Sequence, residues 1–238
     1  MIQKLKDFIR KIVYKIVAPP FVPPTFSQAG EDVIVRFLFY DYGVSKIEYL
    51  DLGAHAPVYS SNTYLFYREG FRGVCVEADK SLIPAFYKDR PEDKILHAGV
   101  SVSKDKEADF YIFDVPGINT FDKEEAELRM ASGKFKLVSV DKVPILSIND
   151  IIKENFSEYP HYLTMDIEGL DLAVLMSLDF QKFPIPVICV ETCAYSENHI
   201  RPKVRDIIDF MLRNNYEVYA DTYINTIFVN KKWFYKEI

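Results

Sequence analysis

Acidic residues close several apolar runs of this sequence, at a spacing that could form a nucleoside-binding site. Asp51 lies near the end of the run 47–52, Gly53 follows it directly, and Glu77 ends the next run, 26 positions after Asp51. This order of elements is a strand, a tight turn, a helix, a second strand and an acidic residue. An open α/β sheet uses the same order to build a pocket at the carboxyl ends of its strands. Gly53 would permit the sharp turn, and Glu77 could accept hydrogen bonds from both ribose hydroxyls.

The turn after residue 52 contains one glycine, whereas a pyrophosphate-binding turn has the pattern G-x-G-x-x-G. This difference favours a nucleoside without a pyrophosphate, such as S-adenosylmethionine, over a nicotinamide dinucleotide. The alternative is that Gly53 is an ordinary turn residue and Glu77 an ordinary strand end, because short motifs often arise by chance.

Two further apolar runs end in Asp166 and Glu191. In a doubly wound sheet these ends meet Asp51 and Glu77 in one crevice, where the carboxylates would repel one another unless a positive group separates them. We therefore consider a divalent cation such as magnesium, or a basic substrate group, at Asp166 and Glu191. The alternative is that Asp166 accepts from a helix N-terminus and Glu191 faces solvent.

Histidine could supply a base near neutral pH. His55 lies in the nucleoside turn, where it could contact the carboxylate of a cofactor or act as a base, and His199 follows Glu191 closely. We take Asp166, Glu191 and His199 as the candidate catalytic residues, and a structural role for each histidine stays open.

Composition excludes several classes of protein. The net charge of −6 argues against a nucleic-acid binder, which would carry a basic face. The sequence has neither a signal-peptide pattern nor a run of about 20 apolar residues, so we expect a cytoplasmic protein. Three cysteines, an odd number, favour reduced thiols over a disulfide framework.

The first 24 residues differ from the rest of the chain. Residues 1–17 have apolar residues at helical spacing and a basic side, and residues 18–24 form a proline-rich spacer. Such a helix could lie on the anionic inner face of a membrane, or pack on its own domain or on a second subunit of a homo-oligomer. We expect the folded domain to span residues 25–238.

From Thr25 onward, strand patterns alternate with helical patterns, which predicts a mostly parallel, doubly wound α/β sheet. We expect Ser27 to cap the first helix, a helix over 60–69 and one continuous strand over 94–100. Two final strands, 216–220 and 226–230, should form an antiparallel hairpin.

An ordered series of segments resembles the FkbM-type S-adenosylmethionine-dependent methyltransferases. The matching segments are 26–32 (FSQAGED), 50–55 (LDLGAH), 61–64 (SNTY), 70–78 (GFRGVCVEA), 118–121 (INTF), 163–171 (LTMDIEGLD) and 187–191 (VICVE). The resemblance implies a Rossmann-like class I methyltransferase fold with a seven-stranded sheet. It also implies methyl transfer to oxygen, commonly a sugar hydroxyl of a glycan, polysaccharide or natural product.

The resemblance also assigns residues. It implies that Asp51, Gly53 and His55 line the methionine end of the cofactor, that Glu77 holds the ribose, and that Asp166 and Glu168 lie at the mouth of the active site. In full, we predict these cofactor-binding residues: Asp51, Gly53, Ala54, His55, Asn62, Thr63, Glu77, Ala78, Asp79 and Val100.

Two departures from the family pattern are visible. Many members have a second glycine where this chain has Ala56-Pro57, and Asp171 replaces the commoner glutamate of D-x-E-G-x-E. Besides a glycan acceptor, a lipid-linked or small-molecule acceptor and a catalytically silent scaffold remain alternatives, although Asp51 and Glu77 are both present.

Overall fold

The computed structural model describes residues 25–103, 105–115, 117–167, 169–193 and 202–236. These ranges contain two β-sheets. Their strands are β1 (Glu48–Leu52), β2 (Arg72–Glu77), β3 (Lys94–His97), β4 (Gly99–Val100), β5 (Glu107–Phe113), β6 (Leu137–Leu146), β7 (Tyr162–Met165), β8 (Val187–Glu191), β9 (Tyr216–Asp221) and β10 (Asn225–Asn230). The predicted domain start at residue 25 and the segment 1–24 cannot be compared with the structure, because 1–24 lies outside the described residues.

The main sheet has the strand order β3-β2-β1-β7-β8-β10-β9. Its first five strands are parallel, whereas β10 pairs antiparallel with both β8 and β9. The predicted doubly wound, seven-stranded sheet with an antiparallel C-terminal hairpin is therefore confirmed. Chain order reverses between β1 and β7, so the crevice at their carboxyl ends is where such a sheet binds ligands.

Helices cover both faces of this sheet. The helices of the described ranges are α1 (Glu31–Asp41), α2 (Tyr64–Arg68), α3 (Ile83–Asp89), α4 (Lys123–Ala131), α5 (Ile148–Asn155), α6 (Asp171–Ser177), α7 (Arg205–Arg213) and α8 (Lys231–Phe234). Side chains alternate along a strand, so Leu50 and Leu52 of β1 pack with α5, α6 and α7. Tyr49 points the other way and packs with α1, α2, α3 and α8. No helix of the described residues is long and apolar enough to cross a membrane.

The predicted strand 94–100 is in fact two strands. Residues 94–97 pair with β2, whereas Gly99 and Val100 leave the main sheet and pair with β6. A Cβ atom at Gly99 would overlap the ring of Phe121. Because glycine has no side chain, the backbone can pass close to that ring where it leaves the main sheet for the second sheet. The second sheet, β4-β6-β5, thereby reaches the carboxyl ends of the main sheet.

Two helix starts also differ from the sequence-based predictions. The helix predicted from residue 60 begins at Tyr64, because Ser60 is left-handed (φ 55°) and the Ser61 hydroxyl accepts the backbone N–H of Tyr64. Gly30, not Ser27, directly precedes α1; the Ser27 hydroxyl instead accepts the Gly30 N–H at 3.0 Å.

Candidate active site

A cavity of about 250 Å³ opens at the carboxyl ends of β1, β2 and β7. Nine of the ten residues that we predicted for cofactor binding line this cavity, and Asp166 lines it as well. The exception is Thr63, which is fully buried behind Asp51. The strand ends therefore bring together three of the acidic residues that the sequence singled out.

The turn after β1 brings the backbone to the cavity. Gly53 has a φ of +77°, and a Cβ atom there would overlap the carbonyl oxygen of Asp166. The N–H groups of Gly53 and Ala54 both bind the carbonyl oxygen of Val76, at 3.0 and 3.1 Å. Both the backbone conformation and the lack of space thus require glycine at position 53.

Glu77 ends β2 with its carboxylate buried between two loops. Its oxygens accept the backbone N–H groups of His55 and Asp79, each at 2.7 Å. Burial nevertheless raises the pKa of Glu77 to about 7, against the lowering effect of these hydrogen bonds. Each carboxylate oxygen can accept a further hydrogen bond, so the group remains able to bind two hydroxyls.

Asp51 has a buried carboxylate in contact with a hydroxyl group. The Thr63 hydroxyl donates to its Oδ2 at 2.6 Å. Burial raises the pKa of Asp51 to about 6, although Arg90 and Thr63 act to lower it. Its ionised form therefore favours a nearby positive charge.

His55 has an unusual conformation in the turn. Its φ is +47°, a left-handed value that is costly for a residue other than glycine. The ring atom Nε2 is buried and has no hydrogen-bond partner among the described residues, although the residue lines the cavity. A buried polar atom of this kind is expected to bind a ligand or ordered water.

Asp166 and Glu191 form a pair at the ends of β7 and β8. Burial raises the pKa of Asp166, and a side-chain interaction with Glu191 acts to lower it. Glu191 does not line the cavity, whereas Asp166 does.

The predicted divalent-cation site at Asp166 and Glu191 is not supported. Among the residues that the structure describes, no three His, Cys, Asp or Glu side chains are grouped so that they could hold a metal ion. Asp166 and Glu191 are two such side chains, and no third of these types joins them within the described ranges.

Asp171, the residue that replaces the commoner glutamate of the family pattern, supports the loop that contains Asp166. It is 4% exposed, and its carboxylate accepts the N–H groups of Ile167 and Gly169, each at 3.3 Å. Burial, aided by the charge of Asp166, raises the pKa of Asp171 to about 7. Asp171 thus fixes the loop by backbone hydrogen bonds.

The second sheet forms the wall of the cavity beside β2. Asn119 donates to the carboxylate of Asp79 at 3.0 Å, and its amide oxygen accepts the N–H of Phe113 at 2.9 Å. Phe110 and Phe121 line the same wall. The cavity therefore has a carboxylate-rich end near Asp51 and a more apolar, aromatic end beside the second sheet.

The sequence model of the FkbM methyltransferase domain matches residues 51–218, well over half of the chain. The chain belongs to the FkbM methyltransferase family. It is therefore an S-adenosylmethionine-dependent methyltransferase, and the matched region contains Asp51, Glu77, Asp166 and Glu191.

Solved structures of other methyltransferases resemble this FkbM methyltransferase at low sequence identity. A TehB-like S-adenosylmethionine-dependent methyltransferase from Corynebacterium glutamicum is 9% identical, with a TM-score of 0.43 over 95% of this chain and 97% of that one. An O-methyltransferase from Bacillus cereus, solved in complex with SAH, is 13% identical, with a TM-score of 0.43 over 92% and 95%. No curated protein sequence matches the chain significantly.

Two site residues predicted from the sequence of this FkbM methyltransferase lie outside the described residues. They are Glu168, from the segment at the mouth of the site, and the candidate base His199. The structure therefore does not test their roles.

Arg90 and Asp93 were missed by the sequence analysis. Both are buried, and they form an ion pair behind Thr63 and Asp51. No sequence signal distinguishes them, because charged residues in a segment such as 88–94 (KDRPEDK) normally face solvent. By contrast, Asn119 and Phe121 lie within a segment that the resemblance already included.

Proposed function

We propose that this protein is an O-methyltransferase that methylates a sugar hydroxyl of a glycan, a polysaccharide or a glycosylated natural product. The observation that supports the cofactor part of this proposal is the charge of the cavity. Carboxylates of Asp51, Glu77, Asp79 and Asp166 line it, and no lysine or arginine of the described ranges does so. Such a cavity favours a cationic nucleoside and disfavours a pyrophosphate.

The lining residues fit S-adenosylmethionine, which supplies the electrophilic methyl group when it is bound. Glu77 would accept both ribose hydroxyls, since each of its oxygens has a lone pair left. Asp51 would bind the ammonium of the methionine end, and His55 would use its unpartnered Nε2 for the carboxylate of that end. The apolar end beside Phe110 and Phe121 would hold the adenine.

Asp166 is the proposed general base for the acceptor hydroxyl. The pKa of Asp166 is raised from its ordinary value towards neutral pH, and a general base works best when its pKa lies near the working pH. The interaction with Glu191 acts in the opposite direction and keeps the rise of this pKa smaller than burial alone would make it. Orientation of the hydroxyl against the bound cofactor would contribute a further large part of the rate.

A methylation assay tests this proposal. The protein is incubated with S-adenosylmethionine and a panel of mono- and oligosaccharides, and methylated products are detected by mass spectrometry, with and without EDTA. We expect a sugar methyl ether and no effect of EDTA. Asp166→Asn should lower kcat by about 10²- to 10⁴-fold while the Kd for the cofactor changes little. Methylation of nitrogen or carbon acceptors alone would contradict the proposal.

A lipid-linked glycan is the second acceptor that we consider, because residues 1–17 combine an apolar stripe with a basic side. Deletion of residues 1–24 should then abolish binding to anionic liposomes and leave methylation of a soluble sugar unchanged. Light scattering of both forms would show whether this segment instead joins two subunits. Unchanged liposome binding by the truncated protein would contradict the membrane role.

A further inference from the structure

Arg90 is a charged residue with no access to solvent. It follows α3, its side chain is 0% exposed, and it forms an ion pair with Asp93 at 2.7 Å. Asp93 is in turn bound by the Tyr49 hydroxyl at 2.8 Å and by the N–H of Gly73 at 2.9 Å. A buried charge is costly unless it is paired and hydrogen bonded. The groups around Arg90 must therefore offset the cost of burying its guanidinium.

The Arg90 guanidinium donates four hydrogen bonds to groups around it. Nε donates to Asp93, and Nη1 donates to the carbonyl oxygen of Pro57 at 3.4 Å and to the Ser61 hydroxyl at 3.3 Å. Nη2 donates to the Thr63 hydroxyl at 3.0 Å and lies 2.7 Å from the Asp93 carboxylate in the ion pair. Lysine has three donors without this fixed fork and could not make the same set. The guanidinium therefore fixes the segment between the turn and α2.

The contact with Thr63 determines the direction of the next hydrogen bond. Arginine can only donate, so the Thr63 oxygen accepts from Arg90 and uses its single hydrogen for Asp51, at 2.6 Å. The chain Arg90–Thr63–Asp51 thus connects a buried positive charge to the carboxylate at the end of β1. Thr63 itself does not line the cavity, whereas Asp51 does.

We propose that Arg90 is a positioning residue that acts through the Thr63 hydroxyl to hold the Asp51 carboxylate in one orientation for the ammonium group of the cofactor. This inference rests on the proposed cofactor-binding role of Asp51. One oxygen of Asp51 binds Thr63, and the other is left to the cavity. We call this chain of hydrogen bonds, from Arg90 through Thr63 to Asp51, the relay. Because the relay ends at the methionine end of the site, it does not affect the nucleoside end.

The charged groups around Asp51 give the relay a dependence on pH. Arg90 and Thr63 favour the ionised carboxylate, whereas burial and the charges of Asp93 and Asp166 disfavour it. Loss of the Thr63 hydroxyl should therefore raise the pKa of Asp51 further, so that cofactor binding requires a higher pH.

The test compares Thr63→Val, which removes the hydroxyl at nearly constant volume, with Thr63→Ser, which retains it. Kd values are measured by calorimetry between pH 5.5 and 8.5 for S-adenosylmethionine and for 5′-methylthioadenosine, which lacks the ammonium and carboxylate. Thr63→Val should weaken S-adenosylmethionine binding roughly 10- to 100-fold, the effect of one lost hydrogen bond to a charged group, and move its pH profile upward. It should leave 5′-methylthioadenosine binding unchanged, and Thr63→Ser should behave as wild type.

Arg90→Lys gives an independent test of the other end of the relay. Arg90→Lys should weaken the binding of S-adenosylmethionine but not that of 5′-methylthioadenosine. In the Thr63→Val background it should cause little further loss of affinity, because both changes break the same chain of hydrogen bonds. Equal loss for both ligands, or wild-type binding by folded Thr63→Val, would overturn the relay alone. Wild-type protein that binds neither ligand would overturn the proposed cofactor and the relay with it.

Discussion

Asp51 carries a negative charge that the ligand-free fold disfavours. Burial and the neighbouring charges of Asp93 and Asp166 raise its pKa to about 6, even with Arg90 and Thr63 opposing them. The folded pKa is thus above the ordinary value of 3.8. Asp51 therefore costs stability as pH rises from about 4 through 6, because the folded state must then release a proton that it holds more tightly than the unfolded state.

Asp51→Asn should therefore stabilise the ligand-free protein at pH 8 while abolishing cofactor binding. Asparagine keeps an oxygen for the Thr63 hydroxyl and removes the charge. A tenfold change in an acid constant corresponds to about 1.4 kcal/mol, so we expect a gain on the order of 2–3 kcal/mol. Urea unfolding at pH 4 and pH 8 measures the gain, with exposed Asp41→Asn as the control. An equal or lower stability of Asp51→Asn at pH 8 would contradict this account.

Cofactor binding should strengthen as pH rises from about 5.5 to 8. The pKa values of Asp51 and Glu77, about 6 and about 7, place much of the ligand-free site in its protonated form below neutral pH. A cationic ligand favours the ionised carboxylates, so binding should release protons. Calorimetry in buffers of different ionisation enthalpy detects this release, and a Kd that is independent of pH would show the prediction to be wrong.

At the scale of elements, the turn after β1 is where three parts of the fold come into close contact. The turn bonds to β2 through the carbonyl of Val76 and packs directly against the loop after β7. Three elements thus depend on the absence of a side chain at Gly53. The φ of +77° would strain any other residue even if there were space.

A comparison of Gly53→Ala with Gly133→Ala separates the cost of steric overlap from the cost of the backbone conformation. Both glycines have positive φ, but a Cβ atom at Gly133 would meet nothing within 4 Å. Gly133→Ala should cost about 1–2 kcal/mol, the price of left-handed backbone alone. Gly53→Ala should cost several kcal/mol more or prevent folding, because the loop that contains Asp166 must also move. Chemical unfolding compares the two variants, and similar losses would rule out the steric part of the argument.

At the scale of the whole molecule, Glu31 connects the first described helix to the last hairpin. It is 0% exposed and accepts hydrogen bonds from Thr222 at 2.7 Å and Asn225 at 3.0 Å. Burial raises its pKa, but the bonds from Asn225, Thr222 and Ala29 outweigh burial and leave the pKa lowered. Its contribution to stability is therefore present above the ordinary value of 4.5 and is lost as pH falls through the lowered value.

Glu31→Gln should reduce the free energy of unfolding by about 1–3 kcal/mol at pH 7, because one buried N–H loses a charged acceptor. The difference from wild type should shrink as pH falls below the lowered pKa. Urea unfolding at pH 7 and pH 3 tests this, with exposed Glu154→Gln as the control. A difference that is the same at both pH values would mean that Glu31 contributes by packing and not by charge.

The main sheet and many of the residues that line the cavity could be predicted from the sequence. Periodicity locates strands and helices because burial repeats with the geometry of each element. The position of an acid at a strand end then follows from the topology of a parallel sheet, as with Asp51, Glu77 and Asp166. The break of the strand 94–100 was missed, because nothing local to Gly99 reveals that Phe121, more than 20 residues later, is its neighbour.

Tertiary structure alone decided which charges are buried and what pairs with them. Arg90 and Asp93 stand in a segment that looks like an exposed surface, yet they lie under Thr63 and Asp51. Glu191 was considered as a metal ligand together with Asp166, whereas in the structure its side chain interacts with Asp166 and acts to lower the pKa of that group. Side-chain pairing of this kind depends on contacts between residues far apart in the chain. The local pattern of polar and apolar residues does not reveal these contacts.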